Sequence, residues 1–402
     1  MNTYCLRKLA FCIFCACLSA PAAEAQSVDP VETARVQVGP LGVTPSFSLR
    51  NLGIDSNVFN AINDPKRDFT FTASPELSVW FRAGDSRLAV HSRADLVYFS
   101  RYASERSIDG EFKARWDVPF NRVTPWVSAG YLHARQRAGY EIDLRSERTA
   151  EQWGGGVMVR VTPMTAVGIT AGRMTHRHDA DEFFRGSSLQ QTLNRETTRT
   201  AFDVRHDLTP LTTVVIEVES VRDRFEYSPL RDADSMRVQG GFDLDRSALI
   251  FGRGRVGYRS VEGVDASLPS FRGVTAAVDA GTTLFGRARV DVAVMRDLAY
   301  SIEAIYPYYV QTGATLTVTP QLTDTWDVQG RAGTQRLAYE AARDFAAIER
   351  VDRYSLVGGG IGYRFGRDLR LGFNVDRERR RSPLQSREYA GYRAGTSVTY
   401  GR

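Results

Sequence analysis

The chain has 402 residues, 43% hydrophobic and 25% charged, with 34 glycines, 15 prolines, four cysteines and a formal net charge of +5. That composition excludes a collagen, a coiled coil, a disordered acidic tail and a disulfide-stapled miniprotein. So small a positive balance over this length also argues against nucleic-acid binding.

All four cysteines, Cys5, Cys12, Cys15 and Cys17, fall within the first 17 residues. Arg7 and Lys8 precede an apolar run over 9–20, and Ala23-Glu24-Ala25 follows with small residues at the two critical positions. This is the layout of a secretory signal cleaved before Gln26. The run is too short for a spanning helix, which needs about 20 residues. Phe14 stands three residues before Cys17, where a lipoprotein signal carries leucine. The expected organisation is a signal over 1–25, a short periplasmic lead over 26–42 and one domain over 43–402. A mature chain without cysteines, in an oxidising compartment, needs a large core or a membrane to hold it.

After residue 25 no apolar run approaches the length of a helical span. Short stretches alternate instead. Leu88, Val90, Ala94 and Leu96 oppose Arg87, Arg93 and Asp95; Ala288, Val290, Val292 and Val294 oppose Arg289 and Asp291; Leu369, Leu371, Phe373 and Val375 oppose Arg370 and Asp376. Successive strand side chains point to opposite faces, so each stretch has an apolar face and a charged face. The segment 123–135 is too mixed to assign faces. In chain order the expected strands are 43–55, 68–82, 86–102, 107–118, 123–137, 149–162, 165–178, 195–208, 212–226, 235–245, 249–262, 271–285, 287–299, 308–319, 324–339, 352–366, 368–380 and 388–400. Tight turns such as Pro163-Met164 and Gly286 alternate with long polar loops such as 138–148 and 179–194. Thr-Pro steps at 124–125, 162–163, 209–210 and 319–320 fall at the short-turn end, where a residue without an N–H does least harm.

An even count of strands, with short turns at one end and long loops at the other, predicts an all-β, transmembrane, antiparallel up-and-down barrel of about 18 strands, in the range 16–18. Closure is required because an open sheet would leave backbone groups unpaired in lipid. With short turns in the periplasm, both termini are periplasmic.

The stretch from Pro45 through Asp55, Asn57, Val58 and Phe59, followed by Pro75 and Leu77, resembles the opening of an outer-membrane β-barrel porin family associated with exopolysaccharide export. The motif covers about 35 residues, and its layout extends over most of the mature chain. The resemblance implies an outer-membrane pore or a partner in polysaccharide secretion. Many such barrels end on an aromatic residue, whereas here Tyr400 precedes Gly401-Arg402.

Outside the signal the basic residues are 48 arginines and only Lys66 and Lys113 as lysines. Arginine on an inner face offers a bidentate lining for carboxylate or phosphate, and charged rings select solutes by sign. The candidate lumen charges are Arg87, Arg93, Asp95, Glu217, Glu219, Arg289, Asp291, Arg370 and Asp376. Because acids are interspersed, ion pairs that stiffen the wall are as well supported as a selective lining. The basic run 377–381 lies towards a long-loop end, where solvated charge is the plainer reading and contact with lipopolysaccharide phosphates the sharper one. Trp80, Trp126, Phe285 and Phe365 near short turns, and Tyr102, Tyr300, Tyr306 and Tyr339 near long loops, suit the two headgroup levels.

A hydrolase would need serine and histidine on one face with an orienting acid. His91 and Ser92 are adjacent and so face oppositely. His176 and His178 share a face but lack a third metal ligand. The glycine triplets 154–156 and 358–360 precede no helix and read as room inside the wall rather than phosphate loops. The expected function is therefore a porin-like channel for polar or anionic solutes or polysaccharide, with no catalytic residues, metal or cofactor. The second reading is a non-conducting structural or assembly partner of a secretion complex, and the third an outer-membrane hydrolase. A plug-gated transporter is disfavoured, since 26–42 is too short for a folded plug. Expected partners are outer-membrane lipid and lipopolysaccharide, periplasmic chaperones and the barrel-assembly machinery, and polysaccharide-export proteins.

Overall fold

The computed structural model describes residues 31, 33–265, 268–342 and 349–401. The expected signal over 1–25 lies outside the described residues. Part of the lead is not bare: Val36–Val38 pairs antiparallel with residues 41–43.

Eighteen long strands follow. They are β1 (Leu41–Asp55), β2 (Asp68–Ala83), β3 (Ser86–Phe99), β4 (Ser107–Asp117), β5 (Val123–Gln136), β6 (Ser146–Thr162), β7 (Thr165–His178), β8 (Arg195–Thr209) and β9 (Thr212–Phe225). The second half comprises β10 (Ala233–Leu244), β11 (Ile250–Gly263), β12 (Phe271–Leu284), β13 (Ala288–Tyr300), β14 (Tyr308–Pro320), β15 (Trp326–Glu340), β16 (Arg350–Phe365), β17 (Leu369–Arg381) and β18 (Tyr389–Tyr400). Each pairs antiparallel with its sequence neighbours, and β1 pairs with β18, closing the ring. No boundary differs from its expected place by more than three residues.

The connections at one end are two to five residues long and at the other seven to sixteen. Pro163 and Pro210 sit in two-residue turns, and Pro320 ends its strand. Between β12 and β13, Phe285 (φ 53°) and Gly286 (φ 66°) are both left-handed, as in the hairpin turn whose twist matches the strands it joins. Pro75 interrupts the β2–β3 ladder, which is paired up to Ala73 and resumes at Glu76. In β1 the register shifts at residues 50–52 against both neighbours, with Asn51 at φ 54°. That bulge marks the closing seam.

Two ladders stop short of the long-loop end. β4 and β5 separate above Gly110↔His133, while β5 stays paired with β6 up to Gln136↔Ser146. β12 and β13 separate above Ala276↔Arg296, while β13 stays paired with β14 up to Tyr300↔Tyr308. Both separations begin about eight residues above the short turns. At ~3.3 Å per residue and a tilt near 40°, this is roughly 20 Å, approaching the height of the apolar band. The tops of these two hairpins turn into the mouth.

The outer face of the ring is apolar, with Phe112, Ile169, Phe202, Ile216, Val256 and Phe373 all exposed. The buried residues are largely polar or charged, Glu76, Asp95, Asp203, Arg205, Asp327 and Arg380 among them. This inversion of a soluble core is what a lipid-facing wall with a polar interior requires.

Candidate functional site

Neighbouring strands are about 4.8 Å apart, so side chains two strands apart meet only on the concave side of a curved sheet. Arg50 of β1 reaches Asp95 of β3 at 3.2 Å, and Arg93 reaches the same carboxylate at 2.6 Å. Arg370 of β17 donates to Asp327 of β15 at 2.9 and 2.5 Å, and Arg331 of β15 reaches back to Asp376 of β17. These contacts place the charged face inside. Arg199 bridges Glu217 and Glu219, each at 2.9 Å, and Arg289 chelates Asp291 at 2.8–3.1 Å. Of the nine candidate charges, Arg87 differs: it is exposed beside the short turn, opposite Arg82 and Asp117 in register.

Several partners escaped notice in the sequence: Arg50, Arg199, Asp327, Arg331, and the trio in which Asp297 takes Arg237 at 2.5 Å and Arg259 at 2.9 Å. One signal was legible. Arginine and aspartate two residues apart share a strand face, and Arg93/Asp95, Arg115/Asp117, Asp203/Arg205, Arg289/Asp291 and Arg350/Asp352 all form ion pairs. The glycines of β16 make room for this lining. A Cβ on Gly358 would strike the Asp376 carboxylate, and one on Gly360 the Asn374 side chain.

At the long-loop end the two detached hairpins meet. The β5–β6 loop places Glu141 against the β13–β14 loop, where its carboxylate accepts from Ser301 Oγ at 2.7 Å and the Ile302 N–H at 3.1 Å. Ile142 and Ile302 pack with Phe184, Leu189 and Leu193 of the β7–β8 loop, which carries a short helix, Leu189–Leu193. Asp143 accepts from Arg380 of β17 at 2.5 Å, and Arg380 also holds Asp352 at 2.5 Å. Arg387 donates to the Glu141 carbonyl, and Arg231 to the carbonyls of Ser301 and Glu303. β5–β6 and β13–β14 stand eight strands apart in a ring of eighteen, so the contact crosses the mouth. Burial pushes the Glu141 carboxyl above its ordinary value, opposed by its hydrogen bonds and by Arg387. Burial likewise raises Asp143 against Arg380 and Arg387.

The two families of aromatic residues divide differently from the expected headgroup levels. Trp126 is buried inside the wall, with Arg115 stacked 3.9 Å from its ring and Gly156 opposite it in register. This inward tryptophan is why 123–135 resisted face assignment. Tyr339 packs with Tyr309 and Tyr306 inside the mouth, and Tyr300 donates to Asp223 at 2.8 Å. The inward tilt of β13–β14 carries these rings away from lipid. Phe285 does project fully from its turn. Within 377–381, Arg380 is buried between two aspartates, so that residue is not solvated charge.

The residues of the family-like motif form a staple at the closing seam. Asp55 accepts from the Asn57 N–H at 2.9 Å and from Arg393 Nε of β18 at 2.9 Å. Asn57 donates to the Ala61 and Ala390 carbonyls and accepts from the Ala61 N–H. Val58 is buried, Phe59 meets Tyr102 edge-on at 4.8 Å, and Leu77 faces outward opposite Pro45. His176 and His178 are both buried on the inner face, between Arg148 and Arg195 in register. Among the described residues no cluster of three metal-ligating side chains occurs.

One arrangement was hidden from the sequence. His91 Nδ1 lies 3.1 Å from Ser78 Oγ, and its Nε2 lies 3.3 Å from Glu76. The residues come from adjacent strands, with Ser78 and His91 directly opposite. The backbone N–H groups of a strand wall are committed to the ladder, so this trio lacks the free donors an acyl-transfer oxyanion needs. It works as part of the polar lining.

A family model described as Putative beta-barrel porin 2 matches residues 29–402. Among solved structures the chain is similar to the outer membrane protein OpdK from Pseudomonas aeruginosa, at 10% identity and a TM-score of 0.48, covering 89% of this chain and 98% of that one. It is similar to a BenF-like porin from Pseudomonas fluorescens Pf-5 with the same four values. OccAB4 from Acinetobacter baumannii also aligns, at 10% identity and a TM-score of 0.46, covering 89% of this chain and 97% of that one. No curated protein matches.

Proposed function

The chain belongs to the family of Putative beta-barrel porin 2, and on that premise we propose a gated outer-membrane pore for polar or anionic solutes or polysaccharide, serving exopolysaccharide secretion. As a porin-type barrel of the outer membrane it acts as a channel rather than an enzyme. The observation that carries the gated reading is a charged inner wall combined with a mouth crossed by two hairpins. The wall suits a hydrated or ionic solute. The crossing is held by side-chain contacts above the continuous ladders, so it opens without breaking the ring. In this reading the short turns face the periplasm, both termini lie there, and the crossed mouth faces outward.

The test is conductance of the purified barrel in a planar bilayer. Wild type should sit mostly closed with brief openings, and deletion of residues 138–144 should give long-lived steps. A salt-gradient reversal potential then reads the lining, and cation preference would remove the anionic solute. The closed mouth also favours a second reading, a non-conducting partner of a secretion complex. Silence from both wild type and the loop deletion would select it. Unchanged exopolysaccharide secretion in a gene deletion would count against either secretory role.

A further inference from the structure

The outer face of β15–β17 carries arginines in a pattern that the inner-wall chemistry does not use. Arg336 stands directly opposite Arg353, and Arg353 directly opposite Arg381. Three cations thus share one row across three adjacent strands. Two positions further along the row, Thr312 intervenes and Arg296 follows, donating to Thr312 Oγ1 and the Val274 carbonyl. Arg379 and Arg377 continue down β17 on the same face as Arg381, and Arg377 lies 5.5 Å from the Tyr392 ring. All five residues of the cluster, 336, 353, 377, 379 and 381, are exposed. Among the described residues none of them forms an ion pair with an acid.

Like charges directly opposite across a ladder destabilise it. The inner wall avoids the problem by pairing each arginine with a carboxylate, and the outer row has none to use. Its height supplies the missing partner. Arg336 lies ten residues above the foot of β15 and Arg353 twelve above that of β16. At ~3.3 Å per residue and a tilt near 40°, these are roughly 25–30 Å from the short turns, about the top of an apolar band ~25 Å tall. Below the row the same face becomes apolar, with Val357, Phe373 and Val375 exposed. A ligand matching both levels has phosphate above and acyl chains below. Arginine rather than lysine suits it, because guanidinium takes phosphate oxygens bidentately.

We propose that Arg336, Arg353 and Arg381, extended by Arg379 and Arg377, form a binding site for the phosphorylated headgroup of an outer-leaflet glycolipid. The site is independent of whether the barrel conducts. It anchors one arc of the ring in the outer leaflet, next to the closing seam.

The experiment compares wild type with R336Q/R353Q/R381Q, both purified in detergent and confirmed as folded by heat-modifiable electrophoretic mobility. Diphosphorylated lipid A should raise the wild-type unfolding temperature by several degrees, and dephosphorylated lipid A should not. The triple variant should lose most of that rise and retain several-fold less lipid phosphate after detergent exchange. An equal response in the triple variant, or an equal effect of dephosphorylated lipid, would overturn the site. Inorganic phosphate that fully reproduces the rise would overturn the lipid assignment. Should the triple variant not fold, the single R353Q variant, at the centre of the row, carries the same comparison.

Discussion

Glu141 illustrates what one buried side chain does here. Its carboxylate joins two loops 160 residues apart in sequence, through Ser301 and Ile302, at a point where water is excluded. Because burial raises both Glu141 and Asp143, the closed mouth binds more protons than an open mouth with both groups in water. The sign follows from linkage: closure is most stable below the ordinary carboxylate pKa and weakens as pH rises from there through the raised values. Single-channel open probability should therefore increase from acidic to neutral pH. Glu141→Gln keeps an acceptor for Ile302 and an amide for Ser301, so it should stay closed and flatten most of the pH response. An unaltered pH response in that variant would remove Glu141 from the gate.

At the scale of elements, the two inward hairpins depend on an apolar joint rather than on a ladder. Ile302 packs against Ile142, Phe184, Leu189 and Leu193, and a charge there must remain solvated. Ile302→Asp should leave the barrel folded, since no barrel strand includes residue 302, yet shift the channel towards open states. Patch recordings showing an unchanged closed fraction would mean the joint does not hold the mouth. β16 presents the opposite constraint. Its inward glycines leave the wall bare where β17 lays Asp376 and Asn374. Gly358→Val would displace Asp376 from Arg331, with an overpacking cost of about 1–3 kcal/mol. Urea unfolding of the purified barrel measures it, and a stability equal to wild type would show that the lining tolerates a side chain at 358.

For the whole molecule the decisive contact is the seam between β1 and β18, since a barrel's first and last strands must find each other across the full chain. The bulge at residues 50–52 interrupts the β1 ladder, and Asp55, Asn57, Arg393 and Glu378 bind its upper end. Asn57→Ala leaves the Ala61 N–H and two carbonyls without their side-chain partner, with an expected loss of roughly 1–3 kcal/mol. Its larger effect should be kinetic, as slower appearance of the heat-modifiable folded form during refolding into detergent. Identical refolding rates for Asn57→Ala and wild type would reduce the motif to a loop contact. The seam also explains why residues 55, 57, 58 and 59 form a recognisable sequence pattern: one short loop must satisfy its own turn and its neighbour's last strand together.

Strand number, strand limits and the apolar and charged faces were readable from the amino-acid sequence because alternation, glycine turns and Thr-Pro steps act over a few residues. The Arg-x-Asp pairs belong to the same local level, although their two-strand partners do not. Trp126 could not be assigned to a face, because only the bare Gly156 across the ladder shows that the inside has room for it. Tyr339 and Arg380 were misplaced, since a strand end is read as facing lipid or water unless its hairpin is known to tilt. That tilt, the crossing of the mouth and the link from Glu141 to Ser301 were decided by the tertiary structure. They arise where two ladders stop, and a ladder's end depends on how the entire ring closes, which no short stretch of sequence contains.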